Sequence, residues 1–118
     1  MGLTHFAIIN ALNNKTNFTV IEPNRIVSRF LMTNVRCKVL NEDTKLDAPY
    51  DFSLITSPPF VHQELLTKCV ERGDKKIFVE KPFGGYRHIN ADTSHQNIYV
   101  GYVLRFNPCI KWIKNNIN

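Results

Sequence analysis

Charged and rigid residues follow the short apolar segments of this sequence, where predicted strands end. One such place is Glu80-Lys81, which is followed directly by Pro82. A lysine at a strand end can stabilise an alkoxide or share its proton during hydride transfer. Taken alone, neighbouring Glu and Lys residues are more often a solvated surface pair. The chemistry predicted for Lys81 therefore depends on what else lies at the same edge of the fold.

Glu22 ends another apolar segment and lies twenty residues after Gly2, which precedes a predicted helix. This is the spacing at which a dinucleotide-binding fold places the acid that accepts hydrogen bonds from the adenosine ribose. Glu22 therefore favours NAD. Arg25 can instead bind a 2′-phosphate, so NADP stays an alternative. The alternative interpretation of Glu22 is a strand-end acid in solvent.

A third strand end carries Ser57, Pro58 and Pro59, with His62 three residues further on. Proline fixes φ and is tolerated at the start of a helix, so this run fixes the backbone where a strand turns into a helix. A flat ligand can rest on the proline rings. The alternative is an ordinary strand-to-helix turn in which His62 is a polar residue of the first helical turn.

Hydrophobic periodicity predicts the elements that position these residues. Strands are predicted over 18–21, 36–40, 51–56, 76–79 and 97–103, helices over 3–12, 25–32, 61–72 and 108–117, and loops over 41–49 and 83–96. This alternation is typical of an α/β fold with a doubly wound, mostly parallel sheet. Such sheets bind ligands at the carboxyl ends of their strands, which is where the polar residues above lie.

Length, charge and hydropathy limit the class of protein. The 118 residues suffice for one domain, 1–118, and leave no room for a second, substrate-binding domain. The net charge is +5, but acidic and basic residues are interleaved and nucleic-acid-binding motifs are absent. No apolar run reaches the roughly 18 to 20 residues of a membrane helix, and a signal peptide is not recognisable. We therefore expect a cytoplasmic protein that binds neither nucleic acid nor membrane.

Three cysteines, Cys37, Cys69 and Cys109, lie far apart in the sequence. Their odd number and the absence of a Cys-x-x-Cys pair argue against a disulfide framework and against a zinc site. We expect reduced thiols and no metal.

Three motifs together resemble the nucleotide-binding domain of the Gfo/Idh/MocA family, which is named after glucose-fructose oxidoreductase, inositol dehydrogenase and a rhizopine-catabolism protein. That domain carries Pro-Pro-x-x-His, then Glu-Lys-Pro, then Gly-Tyr-x-x-Arg-Phe-x-Pro. The corresponding segments here are 58–62, 80–82 and 101–108. The resemblance extends over nearly the whole chain.

The resemblance implies a Rossmann domain that binds NAD or NADP, attached to a larger domain that holds a sugar, cyclitol or sugar-nucleotide substrate. It implies that Lys81 is catalytic, near the substrate hydroxyl and the nicotinamide, and that the Lys81–Pro82 bond is a candidate for the cis form. The residues that it implies for cofactor binding lie at strand ends and turns: Gly2, Leu3, Glu22, Arg25, Thr56, Ser57, Pro58, Pro59, His62, Glu80 and Arg105.

The sequence differs from the family pattern in three ways, and each difference leads to an expectation. Gly2 resembles the last glycine of a Gly-x-Gly-x-x-Gly turn, but the earlier glycines and the first strand are absent from this sequence. We therefore expect a sheet without its first, central strand, and strand edges that favour self-association. The segment 83–96 is shorter than in the family, and the chain ends at Asn118 before a substrate domain. Complete turnover by this chain alone is not expected.

Three hypotheses about function follow. The first is the nucleotide-binding part of an NAD(P)-dependent oxidoreductase that acts on a polyol or sugar hydroxyl. The second is a non-catalytic dinucleotide sensor or regulator, which the missing substrate domain motivates. The third is an inactive, truncated product. Dinucleotide binding separates the third from the others, and the effect of Lys81→Met on turnover tests the first.

Overall fold

A computed structural model describes residues 2–12, 15–35, 37–42, 46, 48–83 and 97–116. Helices alternate with parallel strands, which confirms the predicted α/β class. The elements are α1 Gly2–Leu12, β1 Thr19–Ile21, α2 Arg25–Asn34, β2 Lys38–Leu40, β3 Ser53–Ile55, α3 His62–Arg72, β4 Lys76–Val79, β5 Asn97–Val100 and α4 Pro108–Asn116. The predicted loop over 83–96 lies outside the described residues except for Phe83, and part of the loop predicted over 41–49 does too.

The chain forms two compact units, Met1–Ala48 and Pro49–Asn118. In the first unit, β1 and β2 pair in parallel, with Thr19 opposite Lys38. The helix between them, α2, begins after Asn24, whose Oδ1 accepts the backbone N–H groups of Ile26 at 2.9 Å and Val27 at 3.2 Å. This cap satisfies donors that a helix start otherwise leaves unpaired.

The first helix, α1, differs from α2 in burial, because α2 buries Ser28 and Leu31. Apolar side chains occur all around α1, and none of its residues is buried. Leu12 is 82% exposed. The ring of Phe6 meets that of Phe18 edge to face, with centroids 4.6 Å apart. The predicted helix is therefore present, but none of its faces is buried.

The second unit contains a parallel sheet of three strands in the order β3-β4-β5. Its register places Ile55 of β3 opposite Val79 of β4, and Val79 opposite Val100 of β5. Helix α3 packs on this sheet and ends at Gly73, whose φ of 84° lies in the left-handed region that glycine adopts without strain. The buried cluster joins β3, α3 and β4 and consists of Ile55, Leu66, Cys69, Val70, Ile77 and Val79.

The strand predicted over 97–103 is too long, because β5 ends at Val100. The backbone turns there: the N–H of Tyr102 donates to the carbonyl of Val100 at 2.8 Å, and the N–H of Val103 donates to that of Gly101 at 3.0 Å. A short 3-10 helix, Val103–Phe106, follows. Apolar residues continue past the turn, so the hydrophobic pattern did not mark it.

None of the helices among the described residues is both long enough and apolar enough to cross a membrane.

Candidate functional site

The carboxyl ends of β3, β4 and β5 lie side by side. The N–H of Glu80 donates to the carbonyl of Ile55 at 2.9 Å, and the N–H of Gly101 donates to that of Val79 at 2.8 Å. These bonds extend the two strand ladders by one residue each. We call residues 56–59, 80–82 and 101–102 the carboxyl edge. All three motifs that the sequence analysis singled out in this unit therefore begin or end at one edge of the sheet.

The turn after β3 has a rigid backbone and an unsatisfied hydroxyl. Pro58 has φ −59° and ψ 147°, and Pro59 opens the 3-10 helix Pro59–Val61 that leads into α3. The N–H of Val61 donates to the carbonyl of Pro58 at 3.2 Å. The Oγ of Ser57 is buried and has no hydrogen-bond partner among the described residues. Buried hydroxyls are rarely left without a partner.

His62, the first residue of α3, joins two segments of the carboxyl edge. Its side chain is buried, with 1% of the residue exposed. Its Nε2 lies 2.7 Å from the carbonyl oxygen of Ser57, and its Nδ1 lies 3.2 Å from that of Pro82. Both ring nitrogens thus face backbone of the carboxyl edge itself.

Glu80 and Lys81 differ sharply in exposure. Glu80 is buried, with 6% of the residue exposed, whereas Lys81 is exposed. One oxygen of the Glu80 carboxylate, Oε2, accepts the backbone N–H of Lys81 at 3.2 Å. The Lys81–Pro82 peptide bond is cis, as the family resemblance implied. The candidate catalytic ammonium therefore extends from a backbone position that a buried carboxylate holds.

Gly101 packs against Glu80 with no space for a side chain. A Cβ on this glycine would lie 3.0 Å from Glu80 Oε2 and 3.0 Å from Phe78 Cζ. The next residue, Tyr102, donates its hydroxyl to the carbonyl of Phe83 at 2.7 Å. Both residues belong to the third motif, which was predicted to lie at a functional strand end, but no catalytic or cofactor-binding role was predicted for either.

Arg105 lies in the 3-10 helix Val103–Phe106, and its side chain is outside the described part of the structure.

Four candidate cofactor residues lie in the other unit, Met1–Ala48. Gly2 and Leu3 begin α1. Glu22 follows β1, and its Oε1 accepts the backbone N–H of Asn24 at 2.8 Å. Arg25 begins α2 and lines an open groove together with Ile26, Arg29, Phe30 and Thr33. The Glu22 carboxylate thus holds the turn that leads into α2, beside an exposed arginine.

A second polar cluster, which sequence analysis missed, lies at the amino ends of β3 and β4. The carboxylate of Asp74 is fully buried and accepts hydrogen bonds from Arg72 Nε at 2.9 Å and Arg72 Nη2 at 2.6 Å. It also accepts the N–H of Tyr50 at 3.0 Å and the hydroxyl of Ser53. Burial opposes ionisation of Asp74, but these hydrogen bonds lower its pKa below the usual value. We call this set of four residues the amino-edge cluster.

All three cysteines are free. Burial, reinforced by the nearby Asp74 carboxylate, raises the pKa of the Cys69 thiol to about 11. Burial also raises the pKa of Cys37. Both thiols therefore stay protonated near neutral pH and are poor nucleophiles. Among the described residues, no group of three His, Cys, Asp or Glu side chains is placed to hold a metal ion.

Comparison of the chain with protein-family models, with curated proteins and with solved structures finds no match. The fold defines an α/β protein with parallel strands. Its function is therefore inferred from the residues of the carboxyl edge and from the sequence motifs that lie there.

Proposed function

We propose that the chain is the nucleotide-binding part of an NAD(P)-dependent oxidoreductase related to the Gfo/Idh/MocA family, with a doubly wound, Rossmann-like fold. One observation carries the proposal: the three motifs meet at the carboxyl edge, where open parallel sheets bind their ligands. The backbone bonds Glu80 N–H to Ile55 and Gly101 N–H to Val79 bring these motifs together. Motifs spread over 101–108, 80–82 and 58–62 thus contribute to one region.

The residues of the carboxyl edge fit a dinucleotide. The buried Ser57 Oγ, which has no partner among the described residues, offers a hydrogen bond to a polar group of the ligand. Pro58 is exposed and presents a flat apolar surface beside it. A bound nicotinamide would supply the hydride acceptor or donor, which no protein side chain provides.

Lys81 is the residue that we assign to catalysis. Its ammonium is exposed at the carboxyl edge and can donate to the oxygen of a substrate hydroxyl, stabilising negative charge that develops there. Glu80 holds the Lys81 backbone through the contact at 3.2 Å. The substrate class is a small polyol or sugar, and a second domain would complete its binding.

Glu22 and Arg25 are the residues that we assign to cofactor preference. One oxygen of Glu22 accepts the Asn24 N–H, which fixes the orientation of the carboxylate at the end of β1. Such an acid favours NAD by accepting hydrogen bonds from the ribose. The exposed guanidinium groups of Arg25 and Arg29, in the same groove, would accommodate a 2′-phosphate. We therefore propose NAD as the preferred cofactor, with NADP as the weaker alternative.

The test is a thermal-shift titration of the purified chain with NADH and with NADPH. A ligand that binds only the folded state stabilises it by about 2.7 kcal/mol at a concentration 100 times its Kd. We expect a saturable increase in Tm that is larger with NADH. A cooperative melt that neither nucleotide shifts would overturn dinucleotide binding.

Ser57→Ala sharpens this titration. Removing a buried hydroxyl that lacks a partner leaves the free protein equally stable or slightly more stable. If Ser57 Oγ contacts the dinucleotide, the same variant shows a smaller shift with NADH. Lys81→Met is the matched control, because it should leave both the Tm and the NADH shift unchanged. Equal NADH shifts in wild type and Ser57→Ala would remove Ser57 from the site.

A further inference from the structure

We infer that His62 is a positioning residue, which sets the spacing between the turn after β3 and the segment that carries Lys81. This inference rests on the proposed function, because it assigns the dinucleotide to that turn and catalysis to Lys81. His62 acts in this scheme through the backbone, and the ring itself does not touch the dinucleotide.

The geometry places His62 between the two segments. The ladder between β3 and β4 ends with the hydrogen bond from Glu80 N–H to the carbonyl of Ile55. Beyond it the imidazole lies between the carbonyl of Ser57, at 2.7 Å, and that of Pro82, at 3.2 Å. The ring thus spans the two backbones where the ladder no longer holds them.

The chemistry of the contacts makes the ring a spacer as well as a hydrogen-bond donor. Both partners are carbonyl oxygens, which only accept hydrogen bonds. Neutral imidazole has one N–H, and the shorter distance assigns it to Nε2, toward Ser57. The protonated ring donates to both carbonyls. In either form the buried ring occupies the space between the two segments.

The distance that His62 fixes matters to the proposed reaction. Lys81 is bonded directly to Pro82, and Ser57 carries the hydroxyl that we assign to the dinucleotide. A displacement of about 1 Å between reacting groups can lower a rate by about 10²-fold, even when it originates away from the chemistry. A side chain that holds both backbones therefore controls the chemistry without contacting the substrate.

Two conservative variants separate the contacts. The amide nitrogen of Gln in His62→Gln takes the place of Nε2 and preserves the donor toward Ser57. The amide nitrogen of Asn in His62→Asn takes the place of Nδ1, so it keeps a polar contact toward Pro82 and removes the donor toward Ser57. His62→Phe keeps an aromatic ring of similar size and loses both polar contacts. The three variants are compared with wild type by urea denaturation, by NADH fluorescence titration and by the backbone amide NMR shifts of the free protein.

We expect His62→Gln to bind NADH like wild type and to shift the amide resonance of Lys81. His62→Asn should shift the Ser57 amide and weaken NADH binding at least about fivefold, because loss of one hydrogen bond is worth about 1 kcal/mol. This difference should persist after correction for the folded fraction. The positioning role is overturned if NADH affinity follows only the urea midpoints, or if the Lys81 amide is insensitive to all three variants.

Failure of the proposed function gives a different result. If wild type binds no NADH while the Lys81 amide still responds to His62→Gln, then the backbone coupling exists, but the dinucleotide site and the role of His62 in its reaction are wrong. If NADH binds to wild type and to all three variants equally, the dinucleotide site stands and the positioning role is wrong.

Discussion

The two ends of the β3–β4 pair differ in whether a buried polar group is left without a partner among the described residues. At the amino-edge cluster, the buried carboxylate of Asp74 receives hydrogen bonds from a guanidinium, a hydroxyl and a backbone N–H. At the carboxyl edge, the buried Ser57 Oγ has no partner among the described residues, and the Lys81 side chain is exposed. A satisfied network fixes the fold, whereas the proposed function assigns the unsatisfied hydroxyl and the exposed ammonium to ligands. We therefore propose that stability depends mainly on the amino edge of the sheet and ligand binding on its carboxyl edge.

Asp74→Ala should have the largest effect on stability. It leaves the Arg72 guanidinium, only 13% exposed at its side chain, without its buried partner. Removing one member of a buried ion pair costs about 3 to 5 kcal/mol. We expect a lower urea midpoint of unfolding, with unchanged NADH affinity in the folded fraction. Asp51→Ala is the control, because its ion pair with Lys75 is exposed and its loss should leave the midpoint unchanged. Equal midpoints for the two variants would contradict the comparison.

Acid should weaken the amino-edge cluster by protonating Asp74. The pKa of Asp74 is lower in the folded chain than its ordinary value of 3.8. Ionised Asp74 therefore contributes stability above about pH 4, and this contribution is lost as the pH falls through the folded-state pKa. The difference in urea midpoint between wild type and Asp74→Asn should shrink as the pH falls from about 4 to 2. A difference that stays constant over this range would show that the Asp74 charge does not stabilise the fold.

Two glycines, one at each edge of the sheet, should respond differently to substitution by alanine. Gly101→Ala places a methyl group 3.0 Å from Glu80 Oε2, so the carboxylate that holds the Lys81 backbone must move. We expect a loss of about 1 to 3 kcal/mol and weaker NADH binding. Gly73→Ala meets no close atom but forces alanine to a φ of 84°, which costs about 1 to 2 kcal/mol. Its NADH affinity should remain that of wild type.

Urea denaturation and NADH titration of both glycine variants test whether the carboxyl edge binds the dinucleotide. The assignment of binding to the carboxyl edge fails if Gly73→Ala weakens NADH binding as much as Gly101→Ala does.

Lys81→Met should change stability least, because the side chain is exposed. Exposed substitutions usually alter the free energy of unfolding by no more than about 0.5 kcal/mol. Hydride transfer, measured with the chain combined with a substrate-binding domain, should fall by about 10² to 10⁴-fold. Lys76→Met, at the amino end of β4, is the matched control and should retain activity. Equal activity of the two variants would remove Lys81 from the mechanism.

Local patterns in the sequence predicted much of the second unit. The strand predicted over 76–79 is β4 without a change in its ends, because the apolar Ile77 and Val79 stand between charged residues. The prediction of α3 also held, because its apolar residues recur at helical spacing and Gly73 ends it. The end of β5 was missed, since the turn at Gly101 reflects packing against Glu80 and Phe78, which lie on the neighbouring strand and its end.

The amino-edge cluster could not be predicted in the same way. Asp74 reaches Tyr50 and Ser53 across 24 and 21 residues of sequence, and only the strand pairing brings them together. The Arg72-Gly73-Asp74 tripeptide is otherwise typical of an exposed helix end. The contact between His62 and Pro82 has the same origin, because it depends on the end of β4 lying beside the start of α3. Sequence patterns placed these residues on elements, and tertiary packing selected their partners.

The central position of β4 has a consequence for slow motions of the chain. Its ladder hydrogen bonds run to β3 on one side and to β5 on the other, and its Ile77 and Val79 belong to the buried cluster. Fraying of a neighbouring strand therefore releases only part of β4, and full release requires the cluster itself to open. Amide hydrogens of β4 should exchange with solvent at the rate set by global unfolding, well behind those at the ends of β5. Deuterium uptake of this one strand would thus report the free energy of unfolding of the second unit.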